Sequence, residues 1–141
     1  MKNLIVILAL ITGTSYANAQ KIKPDDVPAK VKEAFAKKYP DIKAEKWEKE
    51  DANYEAEFEL IKVETSVLFD IDGNFKELEQ EIKISDLPKS VTDYINKNLP
   101  NKKIKEAAQI SSADGTITYE AEVNKTDYLF DSKGNFLKSS K

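Results

Sequence analysis

The sequence predicts an α+β protein that arose by tandem duplication. Each copy is expected to contain a helix plus a four-stranded antiparallel meander, with the helices on one face of a shared sheet. Three observations support this prediction. Helix signals recur about 60 residues apart, strand patterns with a period of two follow each helix, and one turn motif is present in both copies.

The helix signals are DDVPAKVKEAFAKKYP (25–40) and SDLPKSVTDYINKNLP (85–100). An aspartate before a proline predicts a helix start, since the aspartate can cap free amides and proline suits the first turn. The prolines at the end of each signal predict where the helices stop, because the residue before a proline avoids the helical conformation. Apolar residues at helical spacing form one stripe in each copy: Val27, Val31, Ala34 and Phe35, then Leu87, Val91, Tyr94 and Ile95.

After each helix, apolar and charged residues alternate, as in YEAEFE (54–59) and YEAEV (119–123). This period of two is typical of antiparallel strands with one face on a core and one face in water. Turn-forming Gly, Asn and Asp residues separate the predicted strands. The predicted strands are 43–50, 54–62, 64–71 and 75–84 in the first copy and 103–111, 116–124, 126–131 and 135–139 in the second.

The motif LFDIDGNF (68–75) has two interpretations. Asp70, Asp72 and Asn74 alternate like the ligands of a calcium loop, although the glycine stands at the wrong position for an EF-hand. The second copy, LFDSKGNF (129–136), places Lys133 where the first has Asp72 but keeps the Asp, Gly, Asn and Phe. The comparison favours a hairpin turn, with a weak metal site in the first copy as the alternative.

The first 19 residues have the layout of a secretory signal peptide: a basic start, a short apolar run and small residues before a cleavage site between Ala19 and Gln20. We therefore expect a periplasmic or secreted protein that does not insert into the membrane after cleavage. The predicted organisation is a signal peptide (1–19), a first repeat (20–84) and a second repeat (85–141). With no cysteine, neither a disulfide nor a lipid-modified N-terminal cysteine is expected.

Composition argues against several functions. The formal net charge of −3 does not fit nucleic-acid binding, for which a basic surface is expected. The chain has no His and no Cys, which removes the usual general bases, thiol nucleophiles and transition-metal ligands. No phosphate-binding glycine loop is present. We therefore expect no enzymatic activity and no cofactor.

The order of these motifs carries a family resemblance. A helix with "VP" or "LP" near its start, then YEAE, then a DxxGN turn, duplicated behind a signal peptide, resembles the PepSY-like family of exported bacterial proteins. That family is similar in fold to beta-lactamase inhibitor proteins. The resemblance spans nearly all of the chain after the signal peptide, and it implies an α+β tandem repeat with a binding or inhibitory role and no catalytic residues.

Two features are candidate binding elements. One is the acidic set Glu55, Glu57, Glu59, Glu120 and Glu122, predicted to project from the sheet face away from the helices. The alternative is a solvated face balanced by lysines such as Lys46, Lys49, Lys62 and Lys76. The other is Trp47, either an exposed anchor for a partner or a residue packed at the core.

The sequence thus predicts an exported, non-catalytic module that binds an unknown protein or peptide of the cell envelope on its open sheet face. Inhibition of an extracytoplasmic hydrolase or protease is one form that this role could take. The alternative is a module that binds a cation or small ligand through the acidic sheet face and the Asp70–Asp72 turn. A structural envelope component without a discrete ligand is a third hypothesis.

Overall fold

The computed structural model of the protein describes residues 19–140, which form two compact units divided between Leu78 and Glu79. The predicted signal peptide lies outside the described residues except for Ala19. Unit 1 consists of β1 (Ala19–Ile22), a 3₁₀ turn (Pro24–Asp26), α1 (Ala29–Lys38), β2 (Lys46–Glu50), β3 (Asn53–Leu60), β4 (Val63–Asp70) and the first part of β5 (Phe75–Glu81).

Unit 2 begins with the last residues of β5 and then repeats this plan. It consists of a 3₁₀ turn (Ile84–Asp86), α2 (Lys89–Asn98), β6 (Glu106–Ser112), β7 (Ile117–Val123), β8 (Thr126–Asp131) and β9 (Phe136–Ser140). Within each unit, strands that are consecutive in the chain pair antiparallel, β1 to β4 in unit 1 and β6 to β9 in unit 2. The predicted α+β fold, a duplicated helix followed by an antiparallel meander, is confirmed.

Strand β1 was not predicted. It pairs antiparallel with β2, so that Lys21 lies opposite Glu48 and Ile22 opposite Trp47. The sequence offered little signal for it, because its four residues, AQKI, span the expected cleavage site between Ala19 and Gln20. The other strands start and end within a few residues of their predicted bounds.

The helix starts differ from the prediction. The two aspartates expected to cap the helices, Asp26 and Asp86, lie in the 3₁₀ turns instead. Pro28 and Pro88 occupy the cap positions, and no side chain caps either helix. The proline carbonyls accept the first helical hydrogen bonds, as from Val31 to Pro28 at 3.0 Å. The predicted helix ends are confirmed, since the helices stop at Lys38 and Asn98, two residues before the prolines.

Each unit has its own core between its helix and one face of its strands. In unit 1, Val31 and Phe35 of α1 pack on strand residues that include Trp47, Ala56 and Phe58. In unit 2, Val91 and Ile95 of α2 pack with Ala121, Val123 and Phe130, among others. The predicted apolar stripes therefore face the cores, where their burial stabilises each unit.

Among residues 19–140, no helix combines the length and apolar character needed to cross a membrane.

Candidate functional site

We call the sheet face opposite the helix the outer face of each unit. In β3 of unit 1, Ala56 and Phe58 belong to the core, so the alternating residues Glu55, Glu57 and Glu59 lie on the outer face. The register extends this face across neighbouring strands. Glu55 lies between Glu48 of β2 and Leu68 of β4, and Glu57 lies between Lys46 and Ser66.

The expectation that the acidic residues of the outer face project into water is wrong for two of them. Glu55 is 0% exposed and Glu120 is 5% exposed. Glu57 and Glu122 are partly buried, and Glu59 is exposed. The two buried glutamates differ from the others in their cross-strand partners. Glu55 lies opposite Leu68 and Glu120 lies opposite Leu129, and both leucines are themselves buried on this face.

The sequence contained a signal for this burial. β4 has three consecutive buried apolar residues, Val67, Leu68 and Phe69, and β8 has Leu129 followed by Phe130. A continuous apolar run indicates a strand buried on both faces, whereas strict alternation indicates one wet face. Sequence reasoning used only the alternation in β3 and β7. It missed further acidic residues on the outer faces, which include Glu48, Glu50, Glu106 and Asp127.

Lys46 neutralises one side of the outer face of unit 1. Its Nζ lies 2.7 Å from an oxygen of Glu48 and donates a 2.9 Å hydrogen bond to Glu57. This is the lysine compensation expected of a balanced face. Lys76 instead lies 3.3 Å from Asp70, while Lys49 and Lys62 are exposed.

The remaining acidic residues of this face form a tight cluster. Glu48, Glu50 and Glu55 each place one carboxylate oxygen so that the three atoms lie within 4.8 Å of one another. Burial, and then the charges of Glu48, Asp51 and Glu77, raise the pKa of Glu50 to about 7. Burial also raises the pKa of Glu55 well above its usual range, and the nearby Ser66 hydroxyl offsets this only in part.

The outer face of unit 2 carries a different acidic group, a row across three strands. Glu106 of β6 lies opposite Glu122 of β7, which lies opposite Asp127 of β8. Lys105 Nζ is 3.7 Å from Glu122, and its side chain is largely exposed. Burial and the charges of Glu122 and Glu106 raise the pKa of Asp127 to about 6.

Trp47 is not an exposed anchor. It is 6% exposed and belongs to the core of unit 1, where its ring packs edge-on against Phe35 with centroids 5.5 Å apart. The alternation of β2 places it on the helix side, opposite to Glu48. Of the two interpretations of Trp47, core packing describes its position, so no partner can reach the ring without opening the core.

The motif at 68–75 forms a hairpin turn in the structure. One Asp70 oxygen accepts 3.0 Å hydrogen bonds from the amides of Asp72 and Asn74, and the other accepts one from the Asn74 side chain. These bonds, the side-chain amide first, lower the pKa of Asp70 to about 2. Asp72 pairs with Lys30 at 2.7 Å. Asp131 and Asn135 repeat the same bonds in unit 2.

This geometry favours the turn over the alternative of a metal site at Asp70, Asp72 and Asn74. The carboxylate oxygens already accept hydrogen bonds from the turn or bind Lys30. Unit 2, with Lys133 in place of Asp72, makes the same turn. Asp70 and Asn74 therefore hold the hairpin together, and Asp72 joins it to α1.

The fold and these faces define a class: an α+β repeat protein in which a helix and a strand meander recur, with acidic side chains enclosed on the sheet face that the helix leaves open. The match to a family model is more specific. Residues 14–64 and 60–138 both match the family described as "putative beta-lactamase-inhibitor-like, PepSY-like". The chain belongs to this PepSY-like family, as its motifs predicted.

Solved structures share the fold. A protein from Bacteroides eggerthii, described as a putative periplasmic protein, is 20% identical, with a TM-score of 0.70 over 81% of this chain and 88% of that one. A BLIP-like protein from Bacteroides fragilis is 24% identical, with a TM-score of 0.61 over 80% and 85% of the two chains. The description of the Bacteroides eggerthii protein as periplasmic agrees with the periplasmic or secreted localisation expected from the sequence. No curated protein matches the chain.

Proposed function

We propose that the protein is an exported, non-catalytic module that binds a protein or peptide partner of the cell envelope through its outer faces, and that it inhibits an extracytoplasmic hydrolase or protease. The observation that carries the proposal is the row Glu106, Glu122 and Asp127 on unit 2. Like charges directly opposite each other weaken a sheet, so this row lowers the stability of the free protein.

The fold does not require these carboxylates. At the equivalent ladder positions of unit 1, Lys46 and Ser66 flank Glu57, and there the lysine neutralises the glutamate. Unit 2 has acidic residues at both flanking positions. A partner with a lysine or arginine segment would supply the missing positive charge, since complementary charge steers association and fixes register.

Two further points support the proposal. The fold-sharing protein from Bacteroides fragilis is described as BLIP-like, and the family description names beta-lactamase inhibitors. The N-terminal signal pattern supports a partner outside the cytoplasm. The proposed partner is therefore an extracytoplasmic protein with a basic segment.

The test is affinity capture from the envelope fraction of the source organism, with wild type and charge-reversed variants. We expect Glu122→Lys to lose the specific partner, because it places a cation in the middle of the acidic row. The matched control is Glu33→Lys, the same charge change at an exposed position of α1. The captured enzyme is then assayed with the purified protein, and its activity is expected to fall.

Two results would contradict the proposal. If both variants capture the same proteins as wild type, the acidic row does not bind the partner. If a partner binds through the row but its hydrolase or protease activity does not change, binding stands and inhibition is wrong.

A further inference from the structure

The carboxylate cluster of unit 1, Glu48, Glu50 and Glu55, is built by adjacent strands. Glu48 and Glu50 are two residues apart on β2 and therefore share a face, and Glu55 of β3 lies directly opposite Glu48. One oxygen of each carboxylate lies within 4.8 Å of the other two. Three carboxylates thus point to one location on the outer face.

Two members of the cluster are buried with little compensation. Glu50 is 1% exposed and Glu55 is 0% exposed. Within residues 19–140, neither carboxylate oxygen of either residue lies in hydrogen-bond geometry with a partner. A buried charge without a partner is costly, so such a group must be neutralised by a proton or by a bound cation. Both side chains direct an oxygen into the cluster, where a single cation could contact them together with Glu48.

Unit 2 shows that the fold does not need this cluster. By strand register, Glu120 is the equivalent of Glu55, and the residue opposite it is Ala108 where unit 1 has Glu48. Two residues further along β6, Ile110 takes the place of Glu50. Ala108 and Ile110 are buried apolar residues. A sheet that accepts Ala and Ile at these positions carries Glu48 and Glu50 in unit 1 for a reason other than packing.

We propose that Glu48, Glu50 and Glu55 bind a divalent, oxygen-preferring cation of the calcium class. The ligand set consists of carboxylates alone, which suits Ca²⁺ and does not suit metals that prefer nitrogen or sulfur. Ca²⁺ binds oxygens at about 2.3–2.6 Å, so oxygens on opposite sides of the ion are about 5 Å apart. The 4.8 Å limit on the cluster's oxygens fits this span.

The surrounding charges are compatible with the ion. Lys46 lies 2.7 Å from Glu48, but it also donates a hydrogen bond to Glu57, which remains its partner when Glu48 turns to the cation. Asp51, Glu77 and Glu57 add negative charge around Glu50. A divalent cation would neutralise charge that Lys46 alone does not balance. This inference concerns unit 1 and does not depend on the partner proposed for unit 2.

The experiment is calorimetric titration of the full chain with calcium chloride at about pH 8, with magnesium chloride as a second arm, followed by urea unfolding with and without about 5 mM calcium. Wild type is expected to bind one calcium per chain and to unfold at higher urea when calcium is present. Glu50→Gln and Glu55→Gln are expected to weaken binding more than tenfold.

Two matched controls define the site. Glu120→Gln changes the equivalent residue of unit 2, whose partner on β6 is Ala108 in place of Glu48. Asp72→Ala changes the turn. Both variants are expected to bind calcium like wild type. The double variant Glu48→Ala/Glu50→Ile copies the sequence of unit 2, and circular dichroism checks that it is folded while binding is lost.

The proposal is overturned by any of three results: no heat and no calcium-dependent unfolding shift at about 5 mM calcium, binding by Glu50→Gln equal to wild type, or loss of binding in Asp72→Ala. Stronger binding of magnesium than of calcium would contradict the assignment to the calcium class.

Discussion

Glu48 and Glu55 are direct cross-strand partners on the outer face of unit 1, and Glu55 is fully buried. Two carboxylates opposite each other weaken a ladder, and burial adds a desolvation cost. In unit 2 the equivalent pair is Ala108 and Glu120. The two repeats therefore share a fold while differing in the charge that they enclose, and this difference can be measured.

Replacing the cluster by its unit 2 counterpart should stabilise the protein. In the absence of calcium, we expect Glu48→Ala/Glu50→Ile to raise the free energy of unfolding by about 1–3 kcal/mol, because buried unpaired carboxylates give way to apolar side chains. Urea unfolding measures the change. Glu59→Ala, at an exposed position of the same face, should change it by less than about 0.5 kcal/mol. A loss of stability in the double variant would show that the cluster is stabilising without a cation.

Stability should fall as pH rises from about 4.5 to about 8 in the presence of a chelator. The pKa of Glu50 is raised to about 7 by burial, from an ordinary value of 4.5, so the folded chain retains a proton that the unfolded chain releases. This difference corresponds to a loss of about 3 kcal/mol once the pH exceeds 7. Asp127, with its pKa raised to about 6, acts in the same direction.

The urea midpoint as a function of pH provides the measurement, and Glu50→Gln should flatten the curve. The lowered pKa of Asp70, about 2, has the opposite sign and acts only in more acidic solution. A midpoint that rises across the interval from pH 4.5 to 8 would show that Glu50 is charged and stabilised in the free protein.

The β3–β4 turn contains a strained residue. Ile61 and Lys62 both have positive φ, 52° and 62°, and Asn124 and Lys125 repeat this turn between β7 and β8. A β-branched residue is disfavoured in this left-handed region, whereas asparagine tolerates it. Since Ile61 is 90% exposed, Ile61→Asn should raise the free energy of unfolding by about 1 kcal/mol. Asn124→Ile should lower the free energy of unfolding by a similar amount, and effects of the same sign in the two variants would contradict the strain.

Gly73 allows the hairpin turn to approach α1. Its φ is +81°, and a Cβ there would lie 2.6 Å from the backbone oxygen of Lys30. Gly73→Ala should therefore lower the free energy of unfolding by about 2–3 kcal/mol in urea unfolding. Gly115→Ala separates the cost of the positive φ from the cost of the contact with Lys30. Gly115 has a similar φ of +87°, but within residues 19–140 no atom beyond its chain neighbours lies within 4 Å of the added Cβ. That variant should lose only about 1 kcal/mol.

Much of the fold was predictable because its signals are local. The prolines predicted where the helices end, and the alternation in YEAE predicted the strands. The second copy of the DxxGN motif favoured a turn over a metal loop. The duplication strengthened each prediction, since loops tolerate insertions while the repeated blocks do not. The caps were predicted wrongly because Asp26 and Asp86 form 3₁₀ turns with the residues before them, a choice that residue type alone does not decide.

The candidate sites were less predictable, because burial depends on which strands become neighbours. By itself the sequence determined the family, the duplicated α+β plan and the face on which Glu55 and Glu120 lie. Only the tertiary structure decided that these two residues are enclosed, that Trp47 is in the core, and that Glu48, Glu50 and Glu55 meet. Alternation assigns a side chain to one face of a strand, but cross-strand register and the adjoining strands determine whether water reaches it.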